Sequence, residues 1–256
     1  MRVVALTCSN TEIICALGCA ELLVGVDDHS DYPADVVGRL PRVGPDLGID
    51  VGRVAALKPD LVLASLTVPG HERVLENLTR AKLPFIAPEP KSVADVYEDV
   101  RRIGDLLGVS GRAEQLIAEM RAELEVSSPP RGVRVLVEWW PKPIIAPARQ
   151  SWVHQLLVRA GASDPLGDRE LTSLPLTDED AARLAPDASV IAWCGVRVEK
   201  YRPDVVLRRP AWQALRLVRE RRVYSISEAW LGRPGPRLVE GMRALRRVVE
   251  ELRPLA

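Results

Sequence analysis

Aromatic residues are scarce in this chain, which has one Phe, four Tyr and six Trp among 256 residues. Net charge is missing as well: Lys+Arg and Asp+Glu both number 35, and no block of like charge marks a disordered tail. With no net field to recruit polyanions, neither nucleic acid nor an anionic membrane is expected as a partner. No apolar run reaches the ~18 residues that a membrane span requires, so no direct membrane insertion is expected. The opening Met1 to Thr11 carries one Arg and a short apolar run that gives way at once to Ser9-Asn10-Thr11-Glu12. This reads as a strand and a helix start rather than an export signal, and points by itself to a soluble, cytoplasmic chain.

Cysteine and histidine are few. Cys8, Cys15, Cys19 and Cys194 do not make a disulfide framework in a chain of this length. Cys15 and Cys19 are placed on one face of an expected helix, beside Ala16 and Ala20, and read as small buried apolar residues. His29, His71 and His154 are scattered without His-x-x-x-His or Cys-x-x-Cys pairing, so no metal site is expected. Nucleophile elbows, phosphate loops, dinucleotide fingerprints and His-Glu-x-x-His helices are all missing. The chain is therefore read as a non-enzyme, with no catalytic residues and no catalytic cofactor. Cys8 and Cys194 lie at expected strand ends but have no local His partner to activate a thiolate.

What is present is a repeat. Leu57-Lys58-Pro59-Asp60-Leu61-Val62-Leu63-Ala64 recurs in kind as Leu184-Ala185-Pro186-Asp187-Ala188-Ser189-Val190-Ile191, an offset of 127. In each copy a glutamate, Glu72 or Glu199, follows Leu66 or Trp193 by the same spacing. Tandem arrays repeat every ~20–50 residues, so this offset argues instead for two lobes of one design with a ligand cleft between them. The length, near the limit for one core, agrees.

Short apolar runs alternate with amphipathic stretches on both sides of the midpoint, which predicts an α/β fold with mainly parallel sheets covered on both faces. Expected strands are Arg2 to Leu6, Val24 to Val26, Leu61 to Ala64, Phe85 to Ala87, Val133 to Val137, Ser189 to Trp193 and Val223 to Ile226. Helices are expected over Thr11 to Gly18, Val51 to Leu57, Glu72 to Ala81, from Ser92, over Ser151 to Ala160, from Thr177, and over Pro236 to Leu252. Ser110 to Val126 stands apart, with Ala113, Leu116, Ile117, Met120 and Leu124 on one face. At roughly 24 Å it reads as a single backbone helix joining the lobes. The expected organisation is an N-terminal lobe over 1–109, a bridging helix over 110–127 and a C-terminal lobe over 128–256.

In parallel α/β sheets ligands bind beyond the carboxyl ends of the strands. Five of the ten Trp and Tyr residues fall there: Tyr32, Trp139, Trp140, Trp193 and Trp230. Flat apolar rings with polar tips suit a large planar ligand, although they would equally fill an interface between lobes. Cys8, Ser9, Asn10, His29, Leu66, Cys194 and Arg233 complete the candidate ligand-binding set. Tyr97, Trp152, Tyr201, Trp212 and Tyr224 read as packing residues. Glu72 and Glu199 read either as solvated helix-start carboxylates or as a symmetric pair that docks to a two-fold partner with two basic patches.

Several stretches resemble the substrate-binding proteins of ABC importers for cobalamin, haem and iron siderophores. They are Ser9-Asn10-Thr11-Glu12 with Leu17-Gly18, Leu23 to Val26, Ser30-Asp31-Tyr32-Pro33, Leu40 to Gly44, Ala56 to Val62 and Pro236-Arg237-Leu238. Ser-Asp-Tyr-Pro beside Asn-Thr-Glu is most similar to the cobalamin-binding members. The resemblance implies two α/β lobes bridged by one long helix, a monomer, a cell-envelope location, a corrinoid held as cargo, and delivery to a permease dimer with its ATPase. It also implies that Glu72 and Glu199 dock to the permease and that Tyr32 lines the cleft. At position 66 the cobalamin-binding members carry tryptophan where this chain has Leu66. Haem or ferric siderophore binding on the same fold is the alternative. A cytoplasmic corrinoid or metal sensor, or a metal-handling enzyme using Cys8 and Cys194, is the alternative of another class.

Overall fold

A computed structural model describes residues 1–252 and divides into two compact units. Unit 1 comprises Met1–Pro90 with Ala94–Glu119; unit 2 comprises Lys91–Val93 with Met120–Ala256. The division falls inside the helix Ser110–Leu124. Its expected apolar face is present, with Ala113, Ile117, Met120 and Leu124 all buried.

Unit 1 is built on four strands, β1 (Val3–Ala5), β2 (Leu23–Val26), β3 (Leu61–Leu63) and β4 (Phe85–Ile86), all parallel in the order β2-β1-β3-β4. The chain leaves β1 toward β2 and returns on the other side at β3. The β1/β3 boundary is therefore a topological switch point, where helices leave on opposite faces and open a crevice at the strand ends. The apolar runs supply the core of this unit, with Val4, Leu6, Val62 and Ala64 packed on Val43, Val54, Val74 and Leu78.

Unit 2 holds three parallel strands, β5 (Val135–Glu138), β9 (Ala188–Ile191) and β10 (Val223–Ser225), in the order β10-β9-β5. Between the first two runs a second, antiparallel sheet of β6 (Trp140–Pro141), β7 (Ile144–Pro147) and β8 (Ser173–Leu176). This corrects the expectation of unbroken strand and helix alternation in the second half. Pro141, Pro143, Pro147 and Pro175 interrupt the local strand pattern, and β7 finds its partner β8 only after a helix, Trp152–Arg159, has intervened.

The repeat has a physical counterpart. The helices Val51–Ala56 and Asp178–Arg183 each lead to a residue in the left-handed region, Lys58 at φ 48° and Ala185 at φ 46°, before the proline. The aspartates then do the same work. Asp60 accepts from the backbone N–H of Arg2 at 2.6 Å, and Asp187 from that of Arg134 at 2.8 Å, so each clamps its strand to its parallel neighbour. The helix expected from Thr177 is opened by a capping box between Thr177 and Asp180.

Asp99, on the helix Val93–Leu106, is half-buried, and burial together with the like charge of Asp95 pushes its carboxyl up to about 7. Because the folded-state value is raised, its contribution to stability is present at acid pH and lost as pH rises through about 7. Asp99→Asn is expected to raise stability near pH 8, by on the order of 1–2 kcal/mol once solvent screening is allowed for, and with it Tm, and to have little effect near pH 4. Equal Tm changes at the two pH values would contradict this assignment.

Candidate functional site

In unit 1 the strand ends are knitted together by polar side chains. Backbone after Thr7 turns directly into the helix Cys8–Ala16, so Cys8, Ser9 and Asn10 lie on its first turn and not in the loop that the sequence suggested. Cys19 lies beyond this helix and is buried, so it does not share a helix face with Cys15. Asn10 is buried and donates to the carbonyls of Leu63 and Ala64 at 3.2 and 2.7 Å, which commits its amide nitrogen to the crevice between β1 and β3. Thr11 holds Ser30 at 2.8 Å, and Ser30 donates to Asp27 at 2.5 Å. Asp27 also accepts from His29 N–H at 2.9 Å, and its burial raises its pKa. Arg42 donates to the carbonyls of Asp27 and Ser30 at 2.8 and 2.6 Å.

The outcome is a rigid loop after β2 that carries two outward groups, His29 and Tyr32, the latter 47% exposed. Leu66 is half-buried and lines an open depression with Glu72, Leu75 and Thr79 on the helix His71–Arg80. That helix begins beside a carboxylate. His71 Nε2 is 3.7 Å and His29 Nε2 3.8 Å from opposite oxygens of Asp46, and the His71 interaction lowers the Asp46 pKa. These are electrostatic rather than hydrogen-bonding separations.

Unit 2 gathers most of the aromatic candidates. Trp139 follows β5, Trp193 follows β9, and Trp230 follows β10 in the short helix Glu228–Leu231. Backbone hydrogen bonds from Ala192 to Glu138 and from Cys194 to Trp139, both 2.9 Å, hold the first two strand ends together. Trp139 packs on Trp152 with ring centroids 5.7 Å apart, and the Trp152 indole donates to Leu231 at 2.7 Å. Trp193 is only 5% exposed and packs on Tyr201 at 5.6 Å, so it forms a floor to the group and not an exposed wall. The Tyr201 hydroxyl donates to Trp193 O at 3.2 Å and accepts from Glu228 N–H at 3.1 Å, and burial raises its pKa. Arg233 is paired with Glu228 at 2.6 Å, Trp140 opens β6 opposite Ile145 and is 44% exposed, and Cys194 is exposed. The indole N–H groups of Trp139, Trp193 and Trp230 are buried with no acceptor among the described residues.

Residues that sequence reasoning had assigned to packing, Trp152 and Tyr201, therefore also brace the candidate rings. It passed over a buried ion pair beneath them. Glu138, fully buried at the end of β5, receives both terminal nitrogens of Arg209 at 2.7 and 2.9 Å and the Ser189 hydroxyl at 3.0 Å. Arg209 Nε faces Asp178 at 3.3 Å, close enough for an ion pair though misaligned for a hydrogen bond. A charged residue ending an apolar strand was the available signal.

Glu72 and Glu199 sit in unlike settings. Glu72 is exposed on the first turn of its helix; its own backbone N–H, and the N–H of Gly70 that donates to it at 2.8 Å, hold its carboxyl below the usual range. Glu199 is exposed on the short 3-10 turn Val198–Lys200, 3.7 Å from the Arg197 guanidinium. Among the described residues, no group of His, Cys, Asp and Glu is arranged to hold a metal ion, and no helix is long and apolar enough to cross a membrane.

Known proteins share this architecture. The uncharacterized ABC transporter substrate-binding lipoprotein YvrC of Bacillus subtilis (strain 168) is 30% identical over 254 residues, which span 95% of this chain and 78% of that protein. The vitamin B12-binding protein of Pectobacterium carotovorum subsp. carotovorum (strain PC1) is 26% identical over 245 residues, 93% of this chain and 84% of that one. Among solved structures, the periplasmic heme-binding protein RhuT from Roseiflexus sp. RS-1, in apo form, is similar at a TM-score of 0.80 and 25% identity over 98% of each chain. Residues 3–229 match the family described as periplasmic binding protein, and the chain belongs to that family.

Proposed function

We propose that this protein captures a corrinoid, cobalamin being the leading candidate, and delivers it to an ABC importer from the outer side of the cytoplasmic membrane. The observation that carries the reading is the braced aromatic group of Trp139, Trp193 and Trp230 at the strand ends of unit 2. Rings held by Trp152 and Tyr201 lose little freedom when a planar ligand settles on them, which keeps the entropic cost of binding low. The relatives named for vitamin B12 binding support the same cargo. Arg233 is engaged by Glu228 rather than offered to a ligand carboxylate. Unit 1 contributes Tyr32, and Glu72 meets the permease. The chain acts by capture as a monomer, without catalysis and with the corrinoid as cargo rather than cofactor.

Haem or a ferric siderophore is the second reading, favoured by His29 and Tyr32, two exposed metal-ligating side chains on one loop. Titration with cyanocobalamin, haemin and a ferric siderophore, followed by tryptophan fluorescence, separates the two. Saturable quenching by cyanocobalamin is expected, with Trp140→Ala and Tyr32→Ala each weakening it about 10-fold while the Tm is unchanged. Tight binding of haemin with none of cyanocobalamin would transfer the assignment. A Cys8→Ser, Cys194→Ser double variant should bind as the wild type does; loss of binding would favour the thiol-dependent reading.

A further inference from the structure

Tyr32 belongs to a loop of unit 1 that leaves the sheet at Asp27 and returns beside it. Backbone bonds close the frame. Asp27 N–H donates to Ala5 O at 3.0 Å, and on the return Val43 N–H donates to Val26 O at 3.0 Å and Asp28 N–H to Gly44 O at 2.9 Å. Inside that frame the Asp27 carboxylate ends a directed chain of hydrogen bonds. Ser30 gives its single hydroxyl proton to Asp27 at 2.5 Å, so the 2.8 Å contact between the hydroxyls of Thr11 and Ser30 requires Thr11 to be the donor. Thr11 sits on the helix Cys8–Ala16, outside the loop. The order Thr11, Ser30, Asp27 polarises each bond toward a buried anion and strengthens it. From the other side Arg42 donates to the carbonyls of Asp27, Ser30 and Val37, at 2.8, 2.6 and 3.3 Å. Its planar fork thus joins backbone before and after Tyr32, a geometry that the point charge of lysine does not reproduce.

We infer that Thr11, Ser30, Asp27 and Arg42 are positioning residues, which set ligand affinity by holding the loop that presents Tyr32. The inference rests on the reading of Tyr32 as a ligand contact given above. Thr11, Ser30 and Asp27 are at most 2% exposed, so their influence reaches a ligand through the loop and not by contact. Tyr32 itself is 47% exposed on backbone that is already tied down. Order established before binding adds nothing to the entropic cost of binding.

The test is a set of double-mutant cycles read by fluorescence titration with cyanocobalamin, or with haemin if the wild type binds haemin alone. Thr11→Val keeps the shape of the side chain and removes the donor, whereas Arg42→Lys keeps the charge and removes the fork. Each is expected to weaken binding by about 5-fold, the usual worth of a hydrogen bond, and by less than about 2-fold in the Tyr32→Ala background. Thr11→Ser, which retains the hydroxyl, is expected to bind within about 2-fold of the wild type. Circular dichroism melts confirm that every variant is folded at the titration temperature, and the two variants break the loop's ties independently. Equal losses with and without Tyr32 would show a general structural role and overturn the inference. So would unchanged affinity in both Thr11→Val and Arg42→Lys, and either result leaves the ligand reading standing. Unchanged affinity in Tyr32→Ala alone would remove the role of Tyr32 and the inference with it. Failure of the wild type to bind either ligand would remove the ligand reading as well.

Discussion

Replacing Arg209 with Ala lowers stability by about 3–5 kcal/mol, the usual cost of leaving a buried charge without its partner. Glu138 is fully buried and would retain only the Ser189 hydroxyl. The change also strips the cation from the face of Trp212, 4.6 Å away, and the hydrogen bond at 3.4 Å to the Pro141 carbonyl in the hairpin that carries Trp140. For a domain of this size such a loss lowers Tm by roughly 10 °C. The double variant Glu138→Leu, Arg209→Met should recover most of it, because a buried pair contributes little beyond what well-packed apolar groups supply. Thermal melts of the two variants decide the matter. A single variant as stable as the wild type, or a double variant no better than the single, would refute this account.

Gly241→Ala is the second large effect, and its sign is set by competition. Gly241 lies inside the closing helix Leu238–Glu251, where alanine is favoured by about 1 kcal/mol on helix propensity alone. A Cβ there, however, would sit 2.2 Å from the carbonyl oxygen of Trp230 and 2.9 Å from a Leu231 methyl. The first obstacle is backbone and cannot rotate away, so either the helix or the Glu228–Leu231 turn must shift, at a cost of about 1–3 kcal/mol. Since that turn carries Trp230 and leads to Arg233, ligand affinity should fall as well. Urea unfolding and cyanocobalamin titration of the variant test both halves. A variant more stable than the wild type would show that propensity wins and that the contact is softer than its geometry implies.

Both predictions concern groups that the sequence presented ambiguously. Glu138 read as the end of a strand running into Trp139 and Trp140, and Arg209 as one of many arginines in a stretch without periodicity. Their pairing joins positions 71 apart in the chain. Nothing local marks such a contact, because a carboxylate and a guanidinium find each other only after β5 and the Pro210–Trp212 turn have been placed. The short helices Pro203–Leu207 and Arg216–Arg219 were likewise missed, being too short to show a 3.6-residue repeat. The strand ends bearing Tyr32, Trp139, Trp193 and Trp230 were legible, since parallel strands are short apolar runs bounded by polar turns.

The sequence by itself determined the α/β class, the two related halves and the residues at the strand ends. Each of these follows from local patterning: apolar runs that must be buried on both faces, and a repeated turn with an aspartate that clamps the neighbouring strand. Tertiary structure alone decided which candidates are exposed and which are spent. It set Asn10 to tie β1 to β3, buried Trp193 against Tyr201, and left Tyr32 and Trp140 facing outward. The physical reason is that exposure, hydrogen-bond occupancy and local field are properties of what folds against a residue, and those neighbours come from distant parts of the chain.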